Sequence, residues 1–244
     1  MKDTWYHVTD AEQIDTPALL LFADRVKANI DTAIAMVGSP ERLRPHVKTH
    51  KSAEVTRLML NAGITAFKCA TIAEADMLGA CGAPDVLLAY TLSPPKLRRF
   101  IQLQHLYPAT RFSCVADHIA NAALLQECLQ SSGHILPVYI DLNTGMNRSG
   151  IVPEEAEELC RFVHTASHLE LAGLHAYDGH IRDTDPEQRR RRCDEAFDRV
   201  LNLQQKLHGE CIPVPSIIAG GSPSFPIHAR RSDVICSPGT FVFW

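Results

Sequence analysis

Short apolar runs and helix-length segments alternate along almost the whole chain, and no run is joined to the next by a hairpin turn. The apolar runs fall at 18–22, 42–47, 64–69, 85–89, 111–115, 136–141, 170–175, 214–218 and 233–236. Helical patterns occupy 24–37, 52–62, 72–81, 94–106, 117–131, 153–166 and 186–208. Pro153-Glu154-Glu155 and Asp185-Pro186-Glu187 set proline and acids in first turns, where a missing N–H costs nothing and negative charge meets the helix dipole. Gly63, Gly82 and Gly133 stand where C-caps belong. Strand–helix units repeated in this way require a parallel sheet with helices outside it.

Counting narrows the choice further. From residue 42 onward there are eight runs, the number that closes a (β/α)8 barrel. The run at 18–22 is left over, and because an unpaired strand edge is a liability it must pair elsewhere. The chain also ends on the apolar Phe241-Val242-Phe243-Trp244. The expectation is a (β/α)8 TIM barrel over residues 24–244 with one extra N-terminal strand. Segment 1–23 would pair with a C-terminal β domain that is absent, the chain reading as truncated before it.

A chain of 244 residues with 45% apolar content can bury a large core. The formal charge of −4 gives no reason to expect nucleic acid or an anionic membrane as partner. No apolar run approaches the roughly 18 residues of a membrane span, and Met1-Lys2-Asp3-Thr4-Trp5 leads into no signal core. The eight cysteines form no CxxC pair, which argues against a compact zinc site or a redox motif. These features describe a soluble protein of the reducing cytoplasm.

Chemistry collects where barrel strands end, and the first such end carries Arg44-Pro45-His46-Val47-Lys48-Thr49-His50-Lys51. Like charge and partial burial would disfavour the ammonium form of Lys48, which is what a Schiff-base lysine needs. The plain alternative is a solvated basic turn. Arg148, bracketed by Gly145 and Gly150, follows the fifth barrel strand, and its planar fork could hold a phenolate or carboxylate. His175, Tyr177 and His180 follow the sixth. Gly220-Gly221-Ser222 and Gly239-Thr240 follow the seventh and eighth, the usual phosphate cup of this architecture. Consecutive glycines let backbone N–H groups converge on a phosphate. The turn is neither a P-loop nor a Rossmann fingerprint. A lysine at one rim position and a phosphate cup across the mouth describe pyridoxal 5'-phosphate.

The stretches 44–51 and 141–150, with Asp15-Thr16-Pro17-Ala18 and Ser237-Pro238-Gly239-Thr240 near the ends, resemble the fold-type III pyridoxal-phosphate enzymes of the alanine racemase N-terminal kind. Within them the chain is most similar to the D-threonine aldolase and D-serine dehydratase branch. The resemblance implies that Lys48 is the Schiff-base lysine, that Arg148 meets the cofactor's phenolic oxygen and that Tyr177 lies at the pyridine ring. It implies that Gly220, Gly221, Ser222, Gly239 and Thr240 surround the phosphate. Racemases carry an arginine where Ser237 stands, so their electronic arrangement is not expected. The pattern Tyr177-Asp178-Gly179-His180 is closer to the aldolases, whereas the dehydratases tend to place tyrosines at the positions of His175 and Arg182.

The implied activity is therefore a lyase on D-β-hydroxy amino acids, most simply a D-threonine aldolase giving glycine and an aldehyde, with His180 as a base near the hydroxyl. D-serine dehydratase, giving pyruvate and ammonia, is the alternative within the branch. A non-catalytic pyridoxal-phosphate homeostasis protein is the alternative outside it, although its lysine motif has a different form. A sugar-phosphate aldolase would want its lysine on a later strand. The resemblance further implies a homodimer in the full-length protein. It also implies a divalent metal, Mn or Zn, held by the missing C-terminal domain, without which residues 1–244 would be inactive alone.

Overall fold

Local sequence sets the helix ends that frame the sheet. In a computed structural model, which describes residues 5–130 and 133–244, the Thr71 hydroxyl accepts the Glu74 N–H at 3.1 Å. Ser52 caps Val55 at 3.2 Å and Asp185 caps Glu187 at 3.0 Å in the same manner. The residues left out include the first four of the expected 1–23 segment and the expected end of the 117–131 helix.

Seven strands form one sheet: β1 (Ala66–Cys69), β2 (Asp85–Leu88), β3 (Arg111–Ala116), β4 (Leu136–Leu142), β5 (Leu169–Ala176), β6 (Ile217–Ala219) and β7 (Val234–Cys236). They lie in sequence order and every neighbouring pair is parallel. The helices are α1 (Ala23–Val37), α2 (Ala53–Asn61), α3 (Ile72–Ala80), α4 (Pro94–Leu106), α5 (Ile119–Leu129), α6 (Glu157–Thr165), α7 (Pro186–Gly209) and the short α8 (Phe225–His228). Among the described residues, no helix is long and apolar enough to cross a membrane.

Alternation along the strands separates two cores. Leu87, Val115, Tyr139, Ala172 and Ile218, one residue from each of five consecutive strands, make a small inner cluster. The opposite strand faces join the helices in the main core, where Val86, Leu88, Phe112, Cys114, Val138 and Ile140 are buried.

The strand count differs from the expected eight plus one. Residues 42–47 form no ladder strand. They touch β7 through a Leu43–Cys236 bridge and β1 through a His46–Lys68 bridge. Arg44 N–H donates to Cys236 O at 2.8 Å, and Lys68 N–H to Pro45 O at 2.8 Å. Pro45 has no N–H to give, and the chain tightens into a 3₁₀ turn at Val47–Thr49, so pairing ends there. Pro213 and Pro215 likewise hold back β6, which starts at Ile217 rather than 214. Residues 18–22 have no ladder partner among the described residues, and Leu19, Leu20 and Leu21 are exposed. At the other end Phe241 and Val242 are buried, and Asn29 on α1 donates to Val242 O and Trp244 O at 3.2 and 2.9 Å.

Candidate active site

The basic run after Leu43 is sorted by its partners. Arg44 is buried and forks onto both oxygens of Asp85, at 2.7 and 2.8 Å, fastening the run to β2. The Lys51 amine is ion-paired with the buried Glu74, whose other oxygen accepts the Ala70 N–H at 2.8 Å. His46 and His50 turn inward. Their Nδ1 atoms accept the N–H of Lys48 at 3.3 Å and of Ser52 at 3.1 Å. Burial holds both imidazoles neutral, with His50 brought down to about 4.

Lys48 is the cation of this run with no ion pair among the described residues. Its pKa is lowered, first by desolvation and then by the charges of Arg148 and Lys51, with Glu74 acting the other way. The ammonium lies 5.6 Å from the centroid of the Tyr177 ring. Arg148 stands 5.2 Å from the same centroid and a second amine, Lys68, 5.6 Å from it. Three cations thus share one aromatic ring. The ring needs two glycines beside it. A Cβ on Gly221 would come within 3.1 Å of Tyr177 Cε2, and one on Gly179 would fall 2.1 Å from the phenol oxygen.

The loop after β6 is built around a buried carboxylate, Asp178. One oxygen accepts the Ser224 hydroxyl at 2.6 Å and the Gly221 N–H at 2.8 Å, and the other accepts His228 Nε2 at 2.9 Å. Burial pushes the Asp178 pKa up, but these three donors outweigh it and the carboxyl stays below its ordinary value. Cys193 Sγ sits 3.3 Å from His228 Nε2, and the ligand atoms of Asp178, Cys193 and His228 all lie within 4.8 Å of one another. Such spacing suits a divalent ion. However, Arg231 faces His228 Nδ1 at 3.4 Å, which places the imidazole proton on Nε2, where Asp178 takes it. The cluster therefore braces the loop.

That bracing changes the expected cup. Gly220 N–H is committed to Ala176 O at 3.1 Å, and Gly221 N–H to Asp178. The converging donors belong to Gly239 and Thr240, whose N–H groups both point at Ser222 Oγ, at 3.1 and 3.0 Å. Two amides converging on one oxygen have the geometry of an anion nest, filled here by the Ser222 hydroxyl.

Between this nest and Lys48 lies a cavity of about 310 Å³. His46, Lys48, Lys68, Tyr177, Arg182 and Ser237 contribute to its wall, with the glycine turns, Ser222 and Thr240. Among the described residues no carboxylate lines it. Amine at one end, amide nest at the other and cationic walls fit an aldehyde carrying a phosphate. His180 lies outside this wall, packed on Gly145 with its Nδ1 buried and unpartnered. Ser237 lines the wall, its hydroxyl donating to Arg44 O at 2.9 Å.

The sequence pattern of the alanine racemase N-terminal domain matches residues 22–243. This chain belongs to that family. It is a family of pyridoxal 5'-phosphate enzymes. The chain is 27% identical to D-threo-3-hydroxyaspartate dehydratase of Delftia sp. (strain HT23), over 95% of its own length and 62% of the relative's. It is 30% identical to 3-hydroxy-D-aspartate aldolase of Paracoccus denitrificans (strain Pd 1222), over 88% of its length and 57% of the relative's. The crystal structure of D-threonine aldolase from Filomicrobium marinum superposes with a TM-score of 0.87 at 28% identity, covering 95% of this chain and 63% of that one. The chain thus spans less than two thirds of the length of these relatives.

A second lysine of this alanine racemase N-terminal domain reaches the same cavity. Lys68, on β1, is 2% exposed and bonds His175 Nε2 at 3.2 Å, and His175 Nδ1 reaches Asp141 at 2.6 Å. The available signal was a lysine inside the apolar run Ile64-Thr65-Ala66-Phe67-Lys68-Cys69, an expensive place for an unpartnered charge.

Proposed function

We propose that this chain carries the pyridoxal-phosphate site of a lyase acting on D-β-hydroxy amino acids, with D-threonine aldolase activity as its reaction. The observation that carries the reading is the unpaired Lys48 amine set across a carboxylate-free cavity from the Gly239–Thr240 amide nest. Bound there, the cofactor supplies an aldehyde that condenses with amines and a ring that accepts the electron pair released when a bond to Cα breaks.

The protein's part is positional and electrostatic. Lys48 must lose its proton to act as a nucleophile, and desolvation with the Arg148 and Lys51 charges favours that loss. Gly239 and Thr240 turn their amides from the Ser222 hydroxyl to the phosphate, while Gly220 and Gly221 shape the turn. Arg148 and Tyr177 fix the ring, and the cationic wall receives the substrate carboxylate. His180, kept neutral chiefly by burial, stands outside the cavity wall, so serving as base for the β-hydroxyl requires its ring to turn inward from Gly145. The divalent metal implied by the resemblance would be held by a C-terminal β domain and asks nothing of Asp178 and His228, which are bonded to each other.

Dehydration is the second reading, supported by the 27% identity to the Delftia dehydratase across 95% of this chain. It differs in breaking the Cα–H bond rather than Cα–Cβ. Borohydride reduction of the cofactor-loaded chain followed by peptide mapping tests the shared core of both readings. The label is expected on Lys48, and Lys48→Ala should lose the visible band. A label on Lys27, Lys51 or Lys68 overturns the assignment. Product analysis then separates glycine plus aldehyde from oxo acid plus ammonia.

A further inference from the structure

The cavity has a second amine, and its hydrogen bonds are those of a proton-handling group. Lys68 lines the cavity wall, and His175 is the sole hydrogen-bond partner of its side chain among the described residues. Asp141 and His175 face each other in register across β4 and β5. Burial pushes the Asp141 pKa up, but the bond from His175 and the charge of Lys68 hold it below its ordinary value. Asp141 is therefore an acceptor, so His175 Nδ1 carries the hydrogen. Burial and the Lys68 charge keep the imidazole from taking a second proton. Nε2 is left bare and accepts from Lys68. One N–H of Lys68 is held in this bond in either protonation state. The rest of the amine has no hydrogen-bond partner among the described residues and faces the Tyr177 ring.

We propose that Lys68 is a second catalytic amine of this cavity, an acid–base group that exchanges a proton with the bound ligand and is held by His175 and Asp141. The inference rests on the reading that pyridoxal phosphate occupies the cavity. The neutral amine takes a proton from the ligand and becomes an ammonium, still donating to His175 Nε2. The same proton then returns to the ligand or passes to water, and no other bond changes.

The surrounding charges poise the group for exchange near neutral pH. Burial disfavours the ammonium most, and Lys48 and Arg44 act in the same sense. Asp141 and Asp178 favour it, and the balance falls at about 7. His46, on the segment bridged to β1, and His175 are both kept neutral, so neither adds a competing charge. A lysine serving only as a core ion pair would lie directly on Asp141. Here the imidazole stands between them and the amine lies in the cavity wall.

The test uses the cofactor fixed on Lys48 by borohydride reduction, which leaves a stable pyridoxyl chromophore. Its absorbance is titrated against pH in the wild type, Lys68→Met and Asp141→Asn. The wild type should show a transition that Lys68→Met lacks. Asp141→Asn, which removes a charge favouring the ammonium, should move that transition down by about one pH unit. A Lys68→Met profile identical to wild type overturns the proposal. Should Lys68→Met fail to fold, an unmoved transition in Asp141→Asn overturns it equally. Absence of label on Lys48 would instead sink the reading of the site as a pyridoxal-phosphate site.

Discussion

Gly221 donates its backbone N–H to the buried Asp178 carboxylate at 2.8 Å, so the turn after β6 is fastened to the turn after β5. Asp178→Asn keeps the volume but puts an amide against donors that need an acceptor. A hydrogen bond to a charged group contributes about 1.5–3 kcal/mol, and a loss of that order is expected. Thermal unfolding should show a lower Tm, and titration with pyridoxal phosphate a weaker Kd.

Gly221→Val should weaken cofactor binding far more than Ser222→Ala. A Cβ at Gly221 meets the Tyr177 ring at 3.1 Å, so the added methyls must displace the ring that three cations share. Ser222→Ala removes one hydroxyl and leaves the Gly239 and Thr240 amides free for an anion. Equal cofactor affinity in the two variants would place the anion-binding turn elsewhere.

Arg44→Ala should cost about 1–3 kcal/mol, the range for a charged hydrogen-bonded pair, because Asp85 is only half-buried and keeps Arg111 at 3.9 Å. Asp85 would lose both of its 2.7–2.8 Å bonds, and the segment leading to Lys48 its anchor on β2. Denaturant unfolding measures the stability. Borohydride labelling at Lys48 should fall in parallel, because the amine is no longer held at the cavity.

Stability should fall on acidification between pH 6.5 and about 4, the window set by His50. Its folded-state pKa lies below the unfolded value, so the unfolded chain takes up the proton first and stability is lost as pH drops through that window. His50→Asn retains an acceptor for the Ser52 N–H and should flatten part of the slope. Urea midpoints at pH 7, 5.5 and 4 supply the comparison.

The runs at 85–89 and 111–115 became β2 and β3 with little change because both faces of a parallel strand are buried and their sequence is almost wholly apolar. Lys48 drew attention for a different reason, as cations crowd the turn at 44–51. What the sequence could not supply was pairing. Lys68 and His175 stand 107 residues apart and meet only because of how β1, β4 and β5 are arranged around the inner face. The same holds for the Gly221 amide, which looked available for phosphate until the fold committed it to Asp178. Residues 18–22 read as a strand on composition, yet a strand exists only with a partner, and the described residues offer none.

The cavity wall that holds Lys48, Lys68 and Arg182 but no carboxylate acts as a filter on the sign of solutes. On the proposed reading, inorganic phosphate and sulfate compete with the cofactor, while cationic amines gain no foothold. Exposed charges are screened within about 10 Å at 0.1 M salt, so chloride weakens the attraction without occupying the amide nest. Buffer choice therefore sets the apparent affinity of the site: reconstitution belongs in a zwitterionic buffer of low ionic strength, and protein handled in phosphate will look poorer at holding its cofactor than it is.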